Sequence, residues 1–209
     1  LDCRLELPLL VWATAGPFEV IGIGVDHACA LADDGTAWCW GSNEEGQLGT
    51  RFTPDYCLFT RNEYLLCSRS ALPVGTNLIF TGLAAGFYHT CALSPDGTAW
   101  CWGANDGGQL GGDDSGSRPT PAPVVGEEPF ASLTAGGRTT CGLTSLGALW
   151  CWGTLPVPEE GRAVRVPGPT PVAPGLRFRV VDTSGEHSCG IDGSGATWCW
   201  GLNRSGELG

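Results

Sequence analysis

Residues 29–41 read CALADDGTAWCWG, and this thirteen-residue stretch returns three more times along the chain. It reads CALSPDGTAWCWG at 91–103, CGLTSLGALWCWG at 141–153 and CGIDGSGATWCWG at 189–201. The first cysteines of successive copies are 62, 50 and 48 residues apart, from positions 29, 91, 141 and 189. An internal repeat at this spacing indicates a fold built by stacking similar units, and it decides the architecture before any other feature.

Each copy has the pattern of a tight β-hairpin, with short apolar runs on both sides of a turn that ends in glycine. If Asp33, Asp34 and Gly35 form a three-residue loop with a left-handed glycine, Cys29 lies directly opposite Cys39. Facing Cα atoms of an antiparallel pair are about 4.5 to 5.5 Å apart, which a disulfide accepts. The same spacing predicts one hairpin and one cystine in every copy.

The two faces of the predicted hairpin carry different bulky groups. Trp38 and Trp40 share one face of their strand, and Cys39 points to the other face. Both faces are therefore apolar, as expected for a sheet stacked between two similar sheets, and we predict that the paired tryptophans pack in the core. A blade of a β-propeller is such a sheet. We predict an all-β propeller with four blades or blade equivalents.

Other positions recur in step with the hairpin. Three copies have a histidine two residues before the first cysteine, and three end in an Asn-x-x-Gly-Gln/Glu-Leu-Gly tail. The histidines are His27, His89 and His187, and the tails are residues 43–49, 105–111 and 203–209. This combination resembles the regulator of chromosome condensation repeat, and most closely its cysteine-containing bacterial branch. The resemblance covers about residues 11–209 and implies a propeller, commonly of seven four-stranded blades.

The repeats divide the chain into successive units of a single propeller region, 1–209. The predicted units are an N-terminal segment 1–10, repeat 1 at 11–72 with an insert at 50–72, repeat 2 at 73–120, repeat 3 at 121–170 and a truncated repeat 4 at 171–209. Four repeats are fewer than the resemblance implies, so we expect the chain to be part of a larger, seven-bladed ring. A closed four-bladed ring, or an arc completed by self-association with another copy, is the alternative.

The eleven cysteines indicate a compartment. They give five predicted disulfides and leave Cys3 over, either free or paired with a residue beyond this sequence. The predicted pairs are Cys29 with Cys39, Cys57 with Cys67, Cys91 with Cys101, Cys141 with Cys151, and Cys189 with Cys199. This density is typical of compartments where thiols oxidise, so we expect an extracellular or cell-surface protein. The sequence shows no signal peptide or membrane span, and we expect an export signal upstream of Leu1.

A rival interpretation makes His27, Cys29 and Cys39 ligands of zinc, because these are residue types that zinc uses. Three ligands per copy would leave an open site, and the third copy has Thr139 in place of the histidine. We therefore predict no metal and no cofactor. The histidines are expected to be structural, with ring nitrogens that bond backbone groups between neighbouring blades.

Charge and motifs exclude several function classes. The formal net charge is −11 and the isoelectric point is about 4.5, which opposes binding to phosphate backbones. The sequence has no glycine-rich phosphate loop, no H-E-x-x-H and no G-x-S-x-G motif. We predict a non-enzymatic protein with no catalytic residues, which binds no nucleic acid and whose partner is a protein or a glycan.

Three segments differ between copies and would supply specificity, namely 50–72, 112–120 and 154–170. The first is the longest, and it combines four aromatic residues with its own cysteine pair. The aromatic residues are Phe52, Tyr56, Phe59 and Tyr64. Rigidly held, exposed aromatic side chains are good interface anchors. We interpret this segment as a disulfide-stapled binding loop, and the alternative is an insertion that only packs on the propeller rim.

The leading hypothesis is an exported or cell-surface scaffold that binds a protein or glycan through its variable loops. An inhibitor of a secreted enzyme is a second hypothesis, since the resemblance extends to bacterial relatives that inhibit β-lactamase. A regulator of guanine-nucleotide exchange on a small GTPase is a third, because that activity occurs in the family. No exchange residue can be placed on this sequence position by position.

Overall fold

The computed structural model describes residues 17–60, 63–126, 128–157 and 162–209. Throughout these ranges the regular structure is β, and no helix there is long and apolar enough to cross a membrane. The first two sheets contain β1 (Phe18–Ile23), β2 (His27–Ala32), β3 (Ala37–Ser42), β4 (Asp55–Thr60), β5 (Glu63–Pro73), β6 (Gly82–Ala85), β7 (His89–Leu93), β8 (Ala99–Gly103) and β9 (Arg118–Pro123). The other two contain β10 (Phe130–Gly136), β11 (Thr139–Thr144), β12 (Leu149–Val157), β13 (Arg162–Val172), β14 (Phe178–Thr183), β15 (His187–Asp192) and β16 (Thr197–Gly201).

These strands form four antiparallel sheets, which we call blades 1 to 4 in chain order. The strand orders are β1-β2-β3-β5-β4, β6-β7-β8-β9, β10-β11-β12-β13 and β14-β15-β16. The first strand of each blade lies beside the first strand of the next, so that β6 packs between β1 and β10. The predicted all-β propeller architecture is confirmed. The N-terminal segment 1–10 and Cys3 lie outside the described residues.

The hairpin register predicted from the sequence is confirmed in all four blades. In blade 1, Cys29 pairs with Cys39 and His27 with Gly41. The corresponding cysteines face each other in the other three hairpins. Gly35 closes the turn with φ of 79°, in the left-handed region that favours glycine. The Asp-Gly signal therefore fixes both the turn and the partners along the strands.

Two of the variable segments form hairpin strands, although the sequence interpretation treated them as loops, and the third, 112–120, contributes its last three residues to β9. In the 50–72 insert, β4 and β5 make a hairpin in which β5 takes the fourth position of blade 1 and β4 adds a fifth, outermost strand. In the 154–170 segment, β12 and β13 extend as a long hairpin. The strands form because β-branched, aromatic or leucine side chains recur at every second position, such as Tyr56 and Leu58 in β4 and Val164 and Val166 in β13.

Neighbouring blades bury unlike faces against each other. The cystine face of blade 1, with Leu31 and Leu48, packs against the Phe80 and Trp102 face of blade 2. The ring centroids of Phe80 and Trp102 are 6.2 Å apart. The same contact recurs between blades 2 and 3, where Trp152 is also fully buried. The core is thus a series of clusters at the blade junctions rather than a single central cluster.

The turn glycine of one blade also touches the backbone of the next. The Phe130 amide donates a hydrogen bond to the Gly97 carbonyl at 2.9 Å, and the Phe80 amide does the same to Gly35. A Cβ atom on Gly97 would lie 2.9 Å from the Phe130 carbonyl oxygen, which is closer than real Cβ contacts come. Gly97 is therefore required by its φ of 84° and by the approach of blade 3.

Gly195 offers a matched control, because its φ is also positive, at 93°, but a Cβ there would meet no atom within 4 Å. We expect Gly195→Ala to lower the free energy of unfolding by about 1 to 2 kcal/mol, the cost of a left-handed alanine. Gly97→Ala should cost at least about 1 kcal/mol more, because the added methyl also displaces blade 3. Urea denaturation measures both variants, and equal losses would contradict the blade junction described above.

Candidate interaction surface

The β4–β5 hairpin presents an apolar face to solvent. Tyr56 lies opposite Leu66, and Leu58 lies opposite Tyr64. Because side chains alternate along a strand, these four share one face of the hairpin. Tyr56, Leu58, Tyr64 and Leu66 are 66%, 58%, 65% and 38% exposed, respectively. We call these four residues the apolar hairpin face.

The opposite face of the same hairpin holds it in place. A disulfide joins Cys57 to Cys67 across the two strands, and Cys67 is buried. The backbone amide of Asn43 donates to the backbone carbonyl of Leu66 at 2.8 Å, and the backbone amide of Leu66 donates to the Glu44 carboxylate. Hydrogen bonds from the tail of blade 1 therefore hold the hairpin. The exposed side chains of the hairpin project from strands that a disulfide cross-links.

The structure brings together two of the four predicted site residues. Tyr56 and Tyr64 are diagonal neighbours on the apolar hairpin face, while Phe52 precedes β4 and is 85% exposed. The side chain of Phe59 lies outside the described residues. The sequence interpretation missed Leu58 and Leu66, although the alternation of Tyr56, Leu58, Tyr64 and Leu66 with Cys57 and Cys67 was the signal that marks them.

The structure joins five cysteine pairs as disulfides, and they are the pairs named above. The four repeat cystines have Cα atoms 4.1 Å apart, and those of blades 1 to 3 are buried between blades. With both repeat cysteines in a disulfide, neither is a thiolate that zinc would bind. Among the residues that the structure describes, no group of three His, Cys, Asp or Glu side chains could hold a metal ion.

The repeat histidines join one blade to the next through a side-chain partner. His27 Nε2 lies 2.9 Å from Thr90 Oγ1, and the Thr90 hydroxyl donates to the backbone carbonyl of Gln47 at 3.1 Å. A hydroxyl has one proton, so Thr90 accepts its other hydrogen bond from a protonated Nε2. The Nε2 atom thus bonds a threonine side chain of the following blade, a partner that the sequence interpretation did not name.

The second histidine repeats this arrangement between blades 2 and 3. His89 Nε2 lies 2.9 Å from Thr140 Oγ1, which donates to the Gln109 carbonyl at 3.0 Å. The Nδ1 atom of His89 is buried without a hydrogen-bond partner and lies against Gly86, where a Cβ would collide with the ring. The donor role of Nε2 and the unprotonated Nδ1 together describe a neutral imidazole.

Burial keeps these histidines uncharged. It lowers the pKa of His27 to about 4, although a hydrogen bond with the His89 backbone partly offsets the effect. The pKa of His89 falls to about 3, mainly by burial and further by repulsion from His27, while Asp106 partly offsets the decrease. A charged imidazole at either position would lose hydration without gaining a counter-ion at the ring.

The stacked blades define a β-propeller, and comparison with known proteins identifies its family. Models of the regulator of chromosome condensation (RCC1) repeat match residues 20–47, 80–109 and 96–143. The chain belongs to the RCC1-repeat family. Its relationship to the bacterial branch stays a prediction.

One sequence relative is the human probable E3 ubiquitin-protein ligase HERC3, which is 35% identical over 105 residues. That match covers 50% of this chain and 9% of HERC3. The chain thus spans less than a tenth of this curated relative, and the similarity concerns the matched segment alone.

Solved structures share the fold. Human WBSCR16 aligns with a TM-score of 0.75 at 20% identity, over 93% of this chain and 50% of that protein. Prp20p of Saccharomyces cerevisiae aligns with a TM-score of 0.74 at 22% identity, over 92% and 48%. The ectodomain of the Physcomitrella patens receptor kinase CR4 aligns with a TM-score of 0.56 at 24% identity, over 89% and 39%. At these identities the similarity establishes the fold, and the chain spans about half of each or less.

The buried histidines predict a specific pH dependence of stability. Histidine in an unfolded chain has a pKa of about 6.5, above the folded values of about 4 and about 3. Between these values the unfolded state binds more protons, so the contribution is complete above pH 6.5 and declines as the pH falls towards 3. We expect the urea midpoint of the protein to decrease over this range, and His89→Gln to flatten the decrease.

His187→Gln is the control, since His187 is partly exposed and has no following blade among the described residues. Because the His187 ring bonds Ser184 within its own blade, this variant tests whether the flattening depends on the bond between blades. The account of the histidine junction fails if both variants change the profile equally.

Proposed function

We propose that this protein is a non-enzymatic, exported interaction module, which binds a partner protein through the apolar hairpin face on blade 1. The observation that carries the proposal is the disulfide-stapled hairpin, whose exposed side holds two tyrosines and two leucines. A solvent-exposed cluster of this kind on a rigid support is typical of a protein-binding site. The proposal favours a partner protein over a glycan, because leucine adds no stacking surface for a sugar ring.

The outer edge of β4 supports the same conclusion. β4 is the last strand in the order of blade 1, so the backbone groups on its outer side pair with no other strand in the described structure. Its sequence, DYCLFT, contains neither lysine nor proline, the residues that commonly protect an edge from pairing. An extended segment of a partner can add to such an edge, while its side chains contact the neighbouring tyrosines.

The five cystines support export, because disulfides persist in oxidising compartments. A related fold forms the ectodomain of a plant receptor kinase. Prp20p has been studied for binding to Gsp1p and histones, and that similarity concerns the fold alone. It does not favour a GTPase regulator here, and no observation on this chain favours a ubiquitin ligase. Inhibition of a secreted enzyme is one form that partner binding can take.

Site-specific photo-crosslinking tests the proposal in the source cells. The full chain carries a photo-crosslinking phenylalanine analogue in place of Tyr64, and the medium and the cell surface are analysed after illumination. We expect one discrete cross-linked protein, and its yield should decrease at least about tenfold when Tyr56→Ser and Leu58→Ser are added, since both contacts lie on the same face.

The matched control places the analogue at Leu146, which is 82% exposed in the hairpin turn of blade 3. The same cross-linked protein from Leu146 would show that contact is non-specific and would contradict the assigned surface. A specific product found only inside the cells would overturn export and leave the assigned surface intact.

A further inference from the structure

The junction between blades 3 and 4 lacks a component that fills the two preceding junctions. In blades 1 and 2 the chain leaves the hairpin through the tails at 43–49 and 105–111, and Leu48 and Leu110 of these tails are fully buried between blades. The tail carbonyl just before each leucine accepts hydrogen bonds from the next blade. Gln47 receives the indole N–H of Trp102 at 3.0 Å, and Gln109 receives that of Trp152 at 2.9 Å.

Blade 3 has no such tail, because the chain continues in a strand after Gly153. Gly153 pairs with Val166 and Leu155 with Val164, so β12 runs on into the long β12–β13 hairpin. The polypeptide that would enter the following junction is therefore directed along the hairpin instead. Trp200 occupies the place of Trp102 and Trp152, but it is partly exposed, whereas they are buried.

A cavity of about 90 Å³ lies at the vacated position. Its apolar lining includes the Cys141 and Cys151 cystine, Leu155, Val172 and Trp200. A wider cleft of about 490 Å³ adjoins it, shares Pro156, Gly185 and Glu186 with it, and is further lined by Phe87 and Tyr88. The small cavity and the cleft share part of their lining, and we call the two together the groove between blades 3 and 4.

The polar groups of blade 4 that correspond to the tail-binding groups lack a tail carbonyl. Ser188 stands where Thr90 and Thr140 stand, and its hydroxyl bonds the Thr183 hydroxyl at 2.6 Å. Thr90 and Thr140 instead donate to the tail carbonyls of Gln47 and Gln109. The groove therefore has an apolar cavity where the two other junctions hold a tail leucine. It also has the Trp200 indole N–H where the equivalent indoles of those junctions bond the backbone carbonyl before that leucine.

We propose that this groove binds a leucine-bearing peptide segment of a partner protein. The leucine side chain enters the small cavity, the carbonyl before it accepts the Trp200 indole N–H, and the flanking residues lie in the wider cleft. The two filled junctions supply the chemistry of the occupant, since a Gln-Leu-Gly turn meets the same surface in both. This site lies on blades 3 and 4, and it is separate from the apolar hairpin face of blade 1.

The test uses the intact protein and a labelled seven-residue peptide with the sequence NEEGQLG, copied from residues 43–49. This peptide can close its own turn, because the Leu48 amide bonds the Asn43 side chain within the tail at 2.9 Å. We expect saturable binding by fluorescence anisotropy. Exchange of the peptide leucine for alanine should weaken binding about tenfold or more, the loss expected for a buried leucine side chain.

Two variants of the protein locate the site. Trp200→Phe keeps an aromatic ring but removes the indole N–H, and should weaken peptide binding several-fold. Leu155→Trp should fill the cavity and abolish binding. Trp198→Phe is the control, because Trp198 lines neither the cavity nor the cleft and its indole N–H donates to Asp192; this variant should bind the peptide as the unchanged protein does.

Several outcomes would overturn the proposal. The absence of binding at millimolar peptide, or equal binding by the protein and its Trp200→Phe variant, would show that the groove does not recognise this segment. Sedimentation of the protein alone gives an independent measurement. Self-association that disappears in Trp200→Phe would assign the groove to a second copy of the chain instead of a partner protein.

Discussion

Every blade of this protein has to bury both faces of its sheet, and the junction between adjacent blades meets that requirement. One backbone carbonyl in the tail of blade 1 illustrates this arrangement. The backbone carbonyl of Gln47 accepts hydrogen bonds from the Trp102 indole and the Thr90 hydroxyl, which belong to the next blade. Leu48 is buried beside it, and His27 bonds the same threonine. Apolar burial and satisfied polar groups thus meet at one place, and neighbouring blades stabilise each other.

The surfaces available for function lie where this regular arrangement changes. The insert after the first tail adds a strand, and its outward side chains have no blade to pack against, which leaves the apolar hairpin face exposed. The third repeat has no tail, which leaves the groove between blades 3 and 4. Both departures use the same framework of hairpins and cystines, so variation in the connecting segments alters binding surfaces without altering the fold.

The hairpins were predictable from sequence because their information is local. An Asp-Gly turn at Gly35 and a spacing of ten between Cys29 and Cys39 determine the register without reference to the rest of the chain. The threonine partner of His27 was not predictable, since it lies 63 residues away and depends on how two blades meet. The strand character of the insert was present in the alternation around Tyr56, but the segment has no counterpart in the other copies and was therefore interpreted as a loop. The missing third tail was visible in the sequence, whereas the groove it leaves required the packing of blade 4.

The central claim is that four local hairpins, each closed by its own cystine, build the blades. Proteolytic peptide mapping by mass spectrometry under non-reducing conditions, on protein from its source cells, tests it directly. The account predicts a link from Cys29 to Cys39, with equivalent links in the other three hairpins and one in the β4–β5 hairpin. Reduced thiols at these positions, or links between different blades, would contradict the hairpin register or the oxidising compartment on which the proposed function depends.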